Sequence, residues 1–67
     1  MIKCRLSILM GERKLRVADV ARGTDLSRST VTSLYKETAE RVDLNTIDSL
    51  CEFLDCEVGD LFVRKSG

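Results

Sequence analysis

The chain has 67 residues, of which 11 are Lys or Arg, 11 are Asp or Glu and none is His, so its formal net charge is zero. This length predicts a single domain, residues 1–67, and leaves no room for the separate substrate lobe of a larger enzyme. No apolar run approaches the roughly 20 residues of a membrane span and no N-terminal signal pattern is present, so we expect a soluble, cytoplasmic protein.

The charges are unevenly distributed along the chain. Residues 1–41 carry nine Lys or Arg against five Asp or Glu, an excess of four positive charges. Residues 42–67 carry two against six, an excess of four negative charges. Because affinity for a polyanion follows the local charge of the docking face, the zero total does not exclude a nucleic-acid partner.

The first predicted helix covers residues 1–14. Ile2, Leu6 and Leu9 lie on one helical face, which Met10 and Arg13 extend. Gly11 weakens the helix interior by about 1 kcal/mol relative to Ala. Leu15 is expected to close the core at the junction that follows.

Residues 17–36 predict two short helices joined by a tight turn. Each helix carries apolar residues at the i, i+3, i+4 spacing of one buried face, namely Val17, Val20 and Ala21 in the first and Val31, Leu34 and Tyr35 in the second. The segment from Gly23 to Asp25 has turn chemistry, Leu26 is an apolar plug, and Ser27 is a good N-cap for the second helix.

The second of these helices has an unusual outer face. One polar strip contains no acid and consists of Arg28, Ser29, Thr32, Ser33 and Lys36. An ordinary solvated helix surface mixes Glu with Lys, whereas Arg and short hydroxyls are suited to base edges and phosphates in a groove. Thr30 is expected to turn toward the helix packing or the backbone.

After a loop over residues 37–43, a longer helix is predicted, capped by Asp43, Asn45 or Thr46. Its apolar stripe consists of Leu44, Ile47, Leu50, Cys51 and Leu54. A last short turn, residues 58–62, offers Val58, Leu61 and Phe62 to the core. Residues 63–67 are predicted to be a short C-terminal tail.

Neither metal binding nor catalysis has support in the residue types. A zinc site usually needs four ligands, and the chain has three cysteines and no histidine. A disulfide is not expected in a reducing cytoplasm. We interpret Cys51 as a small hydrophobic core residue, and Cys4 and Cys56 as structural residues too. There is no Gly-rich phosphate loop and no Ser with a base at a plausible spacing, so we predict no catalytic residue, no metal and no enzyme.

The helix pair at residues 17–36 resembles the Cro and lambda-repressor type of helix-turn-helix domain, the Xre family of bacterial and phage regulators. Residues 44–56 and 58–62 resemble that family's fourth and fifth helices, so the resemblance covers about residues 3–62. Two positions depart from the family pattern: Asp25 stands where Gly is usual, and Lys36-Glu37 stands where Asn-Gly is common. Asp tolerates the left-handed backbone conformation better than most residues.

The resemblance implies an all-α, compact five-helix, lambda-repressor-like domain that binds double-stranded DNA sequence-specifically and needs no cofactor. It implies a transcriptional regulator, most often a repressor that occupies an operator and so blocks polymerase, with the helix at residues 27–36 in the major groove. The expected base contacts are Arg28, Ser29, Thr32 and Ser33. The expected phosphate contacts are Lys14, Arg16, Ser27, Lys36 and Arg41.

Two alternatives remain open at this level. Arg16 at a helix start opposes the helix dipole, so it is either a second ligand for a phosphate docked there or simply an exposed, screened cation. The fold could also serve as a protein-interaction module, such as an antitoxin-like or adaptor protein, through its acidic second half. For DNA binding we expect a homodimer on a near-palindromic operator, with Met1-Ile2 and Phe62-Val63 as candidate dimer surfaces.

Overall fold

The computed structural model describes residues 1–66 and is mostly helical. In chain order its elements are β1 (Ile2–Cys4), α1 (Leu6–Glu12), α2 (Val17–Thr24), α3 (Arg28–Tyr35), α4 (Leu44–Leu54), α5 (Val58–Leu61) and β2 (Phe62–Arg64). The longest helix, α4, has 11 residues. Across residues 1–66, no helix combines the length and the apolar character needed to cross a membrane.

Two short strands correct the all-α prediction. β1 and β2 pair antiparallel, with Ile2 opposite Arg64 and Cys4 opposite Phe62. The first helix begins at Leu6 and not at Met1, so the predicted helix over residues 1–14 is wrong at its start. The predicted tail over residues 63–67 is wrong for Val63 and Arg64, which belong to β2; Gly67 lies outside the described residues.

Hydrogen bonds beyond the strands extend this contact between the two ends of the chain. The N–H of Lys65 donates to the carbonyl of Met1 at 2.8 Å, and the N-terminal ammonium donates to the carbonyl of Lys65 at 3.0 Å. On the other side, the N–H of Arg5 donates to the carbonyl of Leu61 at 2.7 Å. Each strand has only three residues, and its partner lies at the far end of the sequence, so no local pattern reveals it.

One cluster of buried side chains joins the helices. Less than a tenth of the surface of each member is accessible to solvent. The members are Leu6, Leu9, Met10, Val20, Ala21, Val31, Leu34, Leu50, Leu54 and Leu61. Leu15 and Leu26 are partly buried against this cluster, which confirms their predicted roles. The predicted core faces of α2 and α4 therefore hold for most of their members.

Four predicted core residues lie at the surface. They are Ile2, Tyr35, Leu44 and Val58, whose side chains are 61%, 43%, 82% and 53% exposed. The helical spacing of apolar residues predicts the direction in which a side chain points from its helix. The side chain is buried only if another element of the fold lies on that side. Leu44 shows this clearly, because Thr46 two residues later is 7% exposed and takes the inward position at the start of α4.

The two motif helices are held together at a close crossing. α2 contacts α3 more extensively than it contacts any other helix, and α4 packs against α2 from the other side. Gly23, predicted to be a turn residue, instead lies inside α2, where a Cβ atom would overlap the ring of Phe53. The turn itself is made by Asp25, whose φ of 62° is in the left-handed region, as the sequence comparison with the family pattern anticipated.

Three helices end in the same backbone arrangement. After α1, α3 and α4 a residue other than glycine takes a left-handed conformation: Lys14, Glu37 and Asp55. In each case this residue donates its N–H to the carbonyl three residues back, and the next residue donates to the carbonyl five residues back. This is the Schellman motif, which satisfies carbonyls left without partners at a helix end and brings the side chains of its first and last residues into contact.

Candidate nucleic-acid interface

Ser27 fixes the start of α3. Its Oγ accepts the backbone N–H of Thr30 at 3.1 Å and lies 2.9 Å from the Thr30 hydroxyl. An N-cap of this kind replaces one of the hydrogen bonds that the first turn of a helix lacks. The Thr30 hydroxyl is thus engaged with the Ser27 side chain at the cap, whereas it was predicted to turn toward the helix packing or the backbone. Arg28 lies in the first turn of α3.

The outer strip of α3 divides into an exposed part and a sheltered part. Arg28, Ser29 and Lys36 are exposed, whereas Thr32 and Ser33 are half-buried. The Ser33 hydroxyl donates to the carbonyl of Thr30 at 2.9 Å, so its proton is directed into its own helix. An external ligand therefore meets Ser33 as a hydrogen-bond acceptor unless the hydroxyl rotates.

Arg41 approaches α3 from the loop that precedes α4. It lines a small depression together with Thr30 and Ser33 of α3 and Asp43 of the loop. The structure thus places one predicted phosphate ligand beside one predicted base contact. This proximity could not be read from the sequence, because the path of residues 37–43 was not predicted.

Tyr35 is a candidate contact that the sequence analysis assigned to the core. It follows Thr32 by three residues and Arg28 by seven, so it lies on the same flank of α3 as both. With 43% of its side chain exposed, it presents an aromatic ring and a hydroxyl beside the polar strip. The only sequence signal was its residue type, since Tyr often lies where one end of a side chain is packed and the other is wet.

Arg16 occupies the N-cap position of α2. Its backbone N–H donates to Oδ2 of Asp19 at 2.9 Å, and Oδ1 of the same carboxylate accepts from Arg22 at 3.0 Å. Asp19 thereby supplies the negative charge that a helix N-terminus favours. The Arg16 guanidinium is left exposed at this end of the helix, and exposed Lys14 lies two residues before it.

Most cations near the two motif helices have no acidic partner within the chain. In the part of the chain that the structure describes, ion pairs join only Arg13 to Glu12 and Arg22 to Asp19. The predicted phosphate and base contacts that carry charge are outside these pairs: Lys14, Arg16, Arg28, Lys36 and Arg41. Their charge is therefore available to an external polyanion.

Several acidic residues gather on α4 and α5. A shallow depression formed by α4 and α5 is lined by Asp48, Glu52, Asp55, Glu57 and Asp60. None of the residues predicted to contact DNA lines this depression. None of the five carboxylates of this depression lies in α3, whose outer strip itself contains no acid. Among residues 1–66, no three potential metal-binding side chains of the His, Cys, Asp and Glu types come together.

Comparison with known proteins agrees with this arrangement. Residues 5–66 match the family of Cro/C1-type helix-turn-helix DNA-binding domains. A curated relative from Bacillus subtilis strain 168, named uncharacterized HTH-type transcriptional regulator YozG, is 21% identical over 61 residues, covering 91% of this chain and 73% of the relative. Because the family match covers nearly the whole chain, the chain belongs to the Cro/C1-type helix-turn-helix family, and the predicted resemblance is confirmed.

Proposed function

We propose that this member of the Cro/C1-type family is a transcriptional regulator that binds a specific sequence in double-stranded DNA, with α3 in the major groove. The observation that most supports this proposal is the outer face of α3. There Arg28, Ser29 and Lys36 are exposed, and the polar strip to which they belong contains no acid. The family to which residues 5–66 belong supports DNA as the partner. The whole described chain then serves as one domain around this helix, without catalytic chemistry.

We assign contacts with the DNA bases to residues of the outer strip of α3. We assign contacts with the DNA backbone mainly to residues around it. Arg28, Ser29, Thr32 and Ser33 are proposed to reach base edges. Lys14, Arg16, Ser27, Lys36 and Arg41 are proposed to contact phosphates, which fix the register of the protein on the duplex but carry no sequence information directly. Within residues 1–66 the five cations among these form no ion pair, which supports the assignment because no salt bridge there has to break before they bind.

The proposed regulator acts as a homodimer on a near-palindromic operator. One recognition helix reads only a few base pairs, and two copies about 34 Å apart on the DNA would double the site. A binding site of this size in front of a gene excludes polymerase, so repression is the proposed outcome. The homodimer and the repressor role are proposed from the family pattern and from the size of the domain.

An apolar groove offers a surface for the second copy. It has a volume of about 390 Å³ and its apolar lining includes Ile2, Val42, Ile47, Val58 and Phe62. Ile2 and Phe62 were among the sequence-based candidates for the dimer surface. Exposed apolar side chains on a domain this small are commonly covered by association.

The polar rim of the groove favours an identical partner. Glu37, Glu40 and Arg41 line the same groove. In a two-fold dimer the same patch faces itself, so Arg41 of one copy can meet Glu40 of the other. Arg41 would then have two competing roles, one at the dimer rim and one at a DNA phosphate.

A second candidate function is a protein-interaction module. The acidic depression of α4 and α5 is the observation that favours it, because five carboxylate residues there face solvent and could meet a basic partner. Such a module would not require the positive surface of α2 and α3. DNA binding itself therefore separates the two functions.

Salt dependence of binding to duplex DNA is the decisive experiment. A protein that contacts several phosphates loses affinity steeply as salt rises, whereas an interaction module should bind duplex DNA weakly at every salt concentration. Selection from a random duplex pool would then supply the cognate sequence. Failure to enrich any sequence, together with a flat salt response, would reject the proposed function.

The dimer is tested separately by paired substitutions. Val58→Lys places a charge in the apolar groove, while Ile8→Lys makes the same change at an exposed isoleucine that does not line this groove. We expect Val58→Lys to shift sedimentation toward the monomer and to shrink the footprint to one half-site. Equal behaviour of both variants, or a wild-type chain that is monomeric when bound to a single half-site, would reject the groove as the dimer surface.

A further inference from the structure

Cys51 and Cys56 are the first and last residues of the Schellman motif that ends α4. The N–H of Cys56 donates to the carbonyl of Cys51 at 3.0 Å, and the N–H of Asp55 donates to the carbonyl of Glu52 at 3.3 Å. Asp55 between them has φ 53° and ψ 52°, which reverses the chain direction. Both cysteines line the same surface depression, formed by α4 and α5.

The Schellman motif at the end of α1 has apolar side chains at the same two positions. There the matching residues are Met10 and Leu15, whose backbones are joined by a 2.9 Å hydrogen bond and whose side chains both belong to the core region. An apolar contact at these positions is the usual companion of the motif. At the end of α4, the same geometry is built with Cys51 and Cys56, which adds sulfur chemistry to the contact.

We propose that Cys51 and Cys56 form an oxidisable dithiol site, which closes to an intramolecular disulfide when it meets a low-molecular-weight disulfide as oxidant. In the first step one cysteine thiolate attacks a sulfur of the oxidant, forms a mixed disulfide and releases one thiol of the reagent. In the second step the neighbouring cysteine attacks the protein sulfur and releases the second reagent thiol. The protein loses two electrons and two protons, and the oxidant gains both.

The backbone geometry suits this bond. Disulfides join residues whose Cα atoms are about 4.4–6.8 Å apart. The 3.0 Å hydrogen bond from the N–H of Cys56 to the carbonyl of Cys51 holds the two backbones close together at the end of α4. A soft metal ion is a poorer occupant, because the part of the chain that the structure describes brings no third suitable ligand to the two sulfurs, and two ligands do not complete a tetrahedral site.

The surroundings set the rate of the reaction. Burial raises the pKa of the Cys51 thiol above its ordinary value, and the neighbouring Cys56, Asp48 and Glu57 raise it further. The thiolate is the attacking species, so the pair reacts slowly near neutral pH and faster as the pH rises toward that pKa. Cys4, in β1, lies apart from the pair and serves as an internal reference; burial raises the pKa of its thiol as well.

The site is separate from the proposed DNA surface. Cys51 and Cys56 line the acidic depression of α4 and α5, which contains none of the residues proposed to contact DNA. The disulfide would restrict the conformations of the unfolded chain between residues 51 and 56. It would also join α4 covalently to the segment that leads into α5. Oxidation is therefore expected to raise the melting temperature while leaving the affinity for DNA within twofold.

The test is oxidation of the folded 67-residue chain with oxidised glutathione at pH 7 and pH 9, followed by alkylation and peptide mapping. We expect a Cys51–Cys56 disulfide in the wild-type chain and in Cys4→Ser, formed faster at pH 9. Cys51→Ser and Cys56→Ala should instead stop at a stable mixed disulfide on the remaining thiol. The melting temperature should rise by several degrees on oxidation only in the chains that retain both cysteines.

Three outcomes would overturn the proposal. They are a persistent mixed disulfide on the wild-type pair, a disulfide that involves Cys4, or a covalent dimer as the main product. Each is visible in the same mass spectrum. The result does not depend on the proposed DNA function, because no DNA is present in the oxidation experiment.

Discussion

Helices α3 and α4 present contrasting outer faces over similar buried ones. Both bury two aliphatic residues in the shared core, Val31 and Leu34 in α3 and Leu50 and Leu54 in α4. On the solvent side α3 exposes Arg28, Ser29 and Lys36, whereas α4 exposes Asp48, Glu52 and its flanking Asp55. The inner faces therefore explain why both segments fold, and only the outer faces distinguish what each can bind.

The comparison shows why the net charge of the chain has little bearing on its function. The cations predicted to contact DNA lie in or beside α2 and α3 or in the loop that follows α3, whereas five carboxylates line the depression of α4 and α5. Affinity for a phosphate backbone follows the local charge of the docking face and not the total charge. Substitutions on one face of one helix test this difference.

The largest effect is expected from the buried face of α4. Leu50 is fully buried, so Leu50→Ala should lower the free energy of unfolding by about 2–5 kcal/mol through lost burial and the cavity left behind. Leu44→Ala, in the same helix but 82% exposed, is the matched control and should change it by less than about 0.5 kcal/mol. Urea unfolding of both variants measures the difference, and equal losses would contradict the burial assigned to α4.

The next effect concerns the outer face of α3. If Arg28 donates two bonds to a guanine, Arg28→Ala should cost about 1–3 kcal/mol on the selected DNA sequence and relax the preference at one base position. Arg22→Ala removes an exposed arginine of α2 that is already paired with Asp19, and should have little effect. Titration on cognate and scrambled duplexes gives both numbers. An equal loss on the two duplexes would make Arg28 a phosphate contact.

A smaller, nonspecific effect is expected at Arg16. Its guanidinium is exposed beside the start of α2, so Arg16→Ala should weaken cognate and scrambled duplexes alike and lower the salt slope by about one unit. The hydrogen bond from its backbone N–H to Asp19 does not need the side chain, so the fold should survive. An unchanged salt slope would favour the alternative in which Arg16 is only a screened surface cation.

The smallest effect tests the acidic end of α4. Asp55 holds a left-handed conformation with φ 53°, which glycine adopts without steric cost. Asp55→Gly should therefore raise the free energy of unfolding by about 0.5–1 kcal/mol, although the unfolded chain also gains freedom. Thermal unfolding of this variant provides the measurement, with unchanged DNA affinity as its control. A loss of stability would mean that the Asp55 carboxylate contributes more than its backbone costs.

Local sequence patterns were sufficient to predict the two motif helices. Ser27 is an N-cap, and Val20, Val31 and Leu34 are buried, as their residue types and spacing indicated. The left-handed conformation of Asp25 agrees with what the family resemblance implied. These features depend on residues within one or two helical turns, so a short window contains the information. The acid-free strip on α3 was visible for the same reason, although its contacts with DNA remain a prediction.

The remaining features depend on partners that are distant in the sequence. The pairing of Ile2–Cys4 with Phe62–Arg64 joins opposite ends of the chain, and the exposure of Leu44 and Tyr35 depends on which elements pass beside them. The hydrogen bond between Cys56 and Cys51 is local, but it depends on the left-handed conformation of Asp55, which residue spacing did not predict. The helix-turn-helix segment and its polar strip followed from the sequence, because helix periodicity and capping are local. The strand pair and the apolar groove emerged from the tertiary structure, because each needs segments whose mutual distance is fixed by packing.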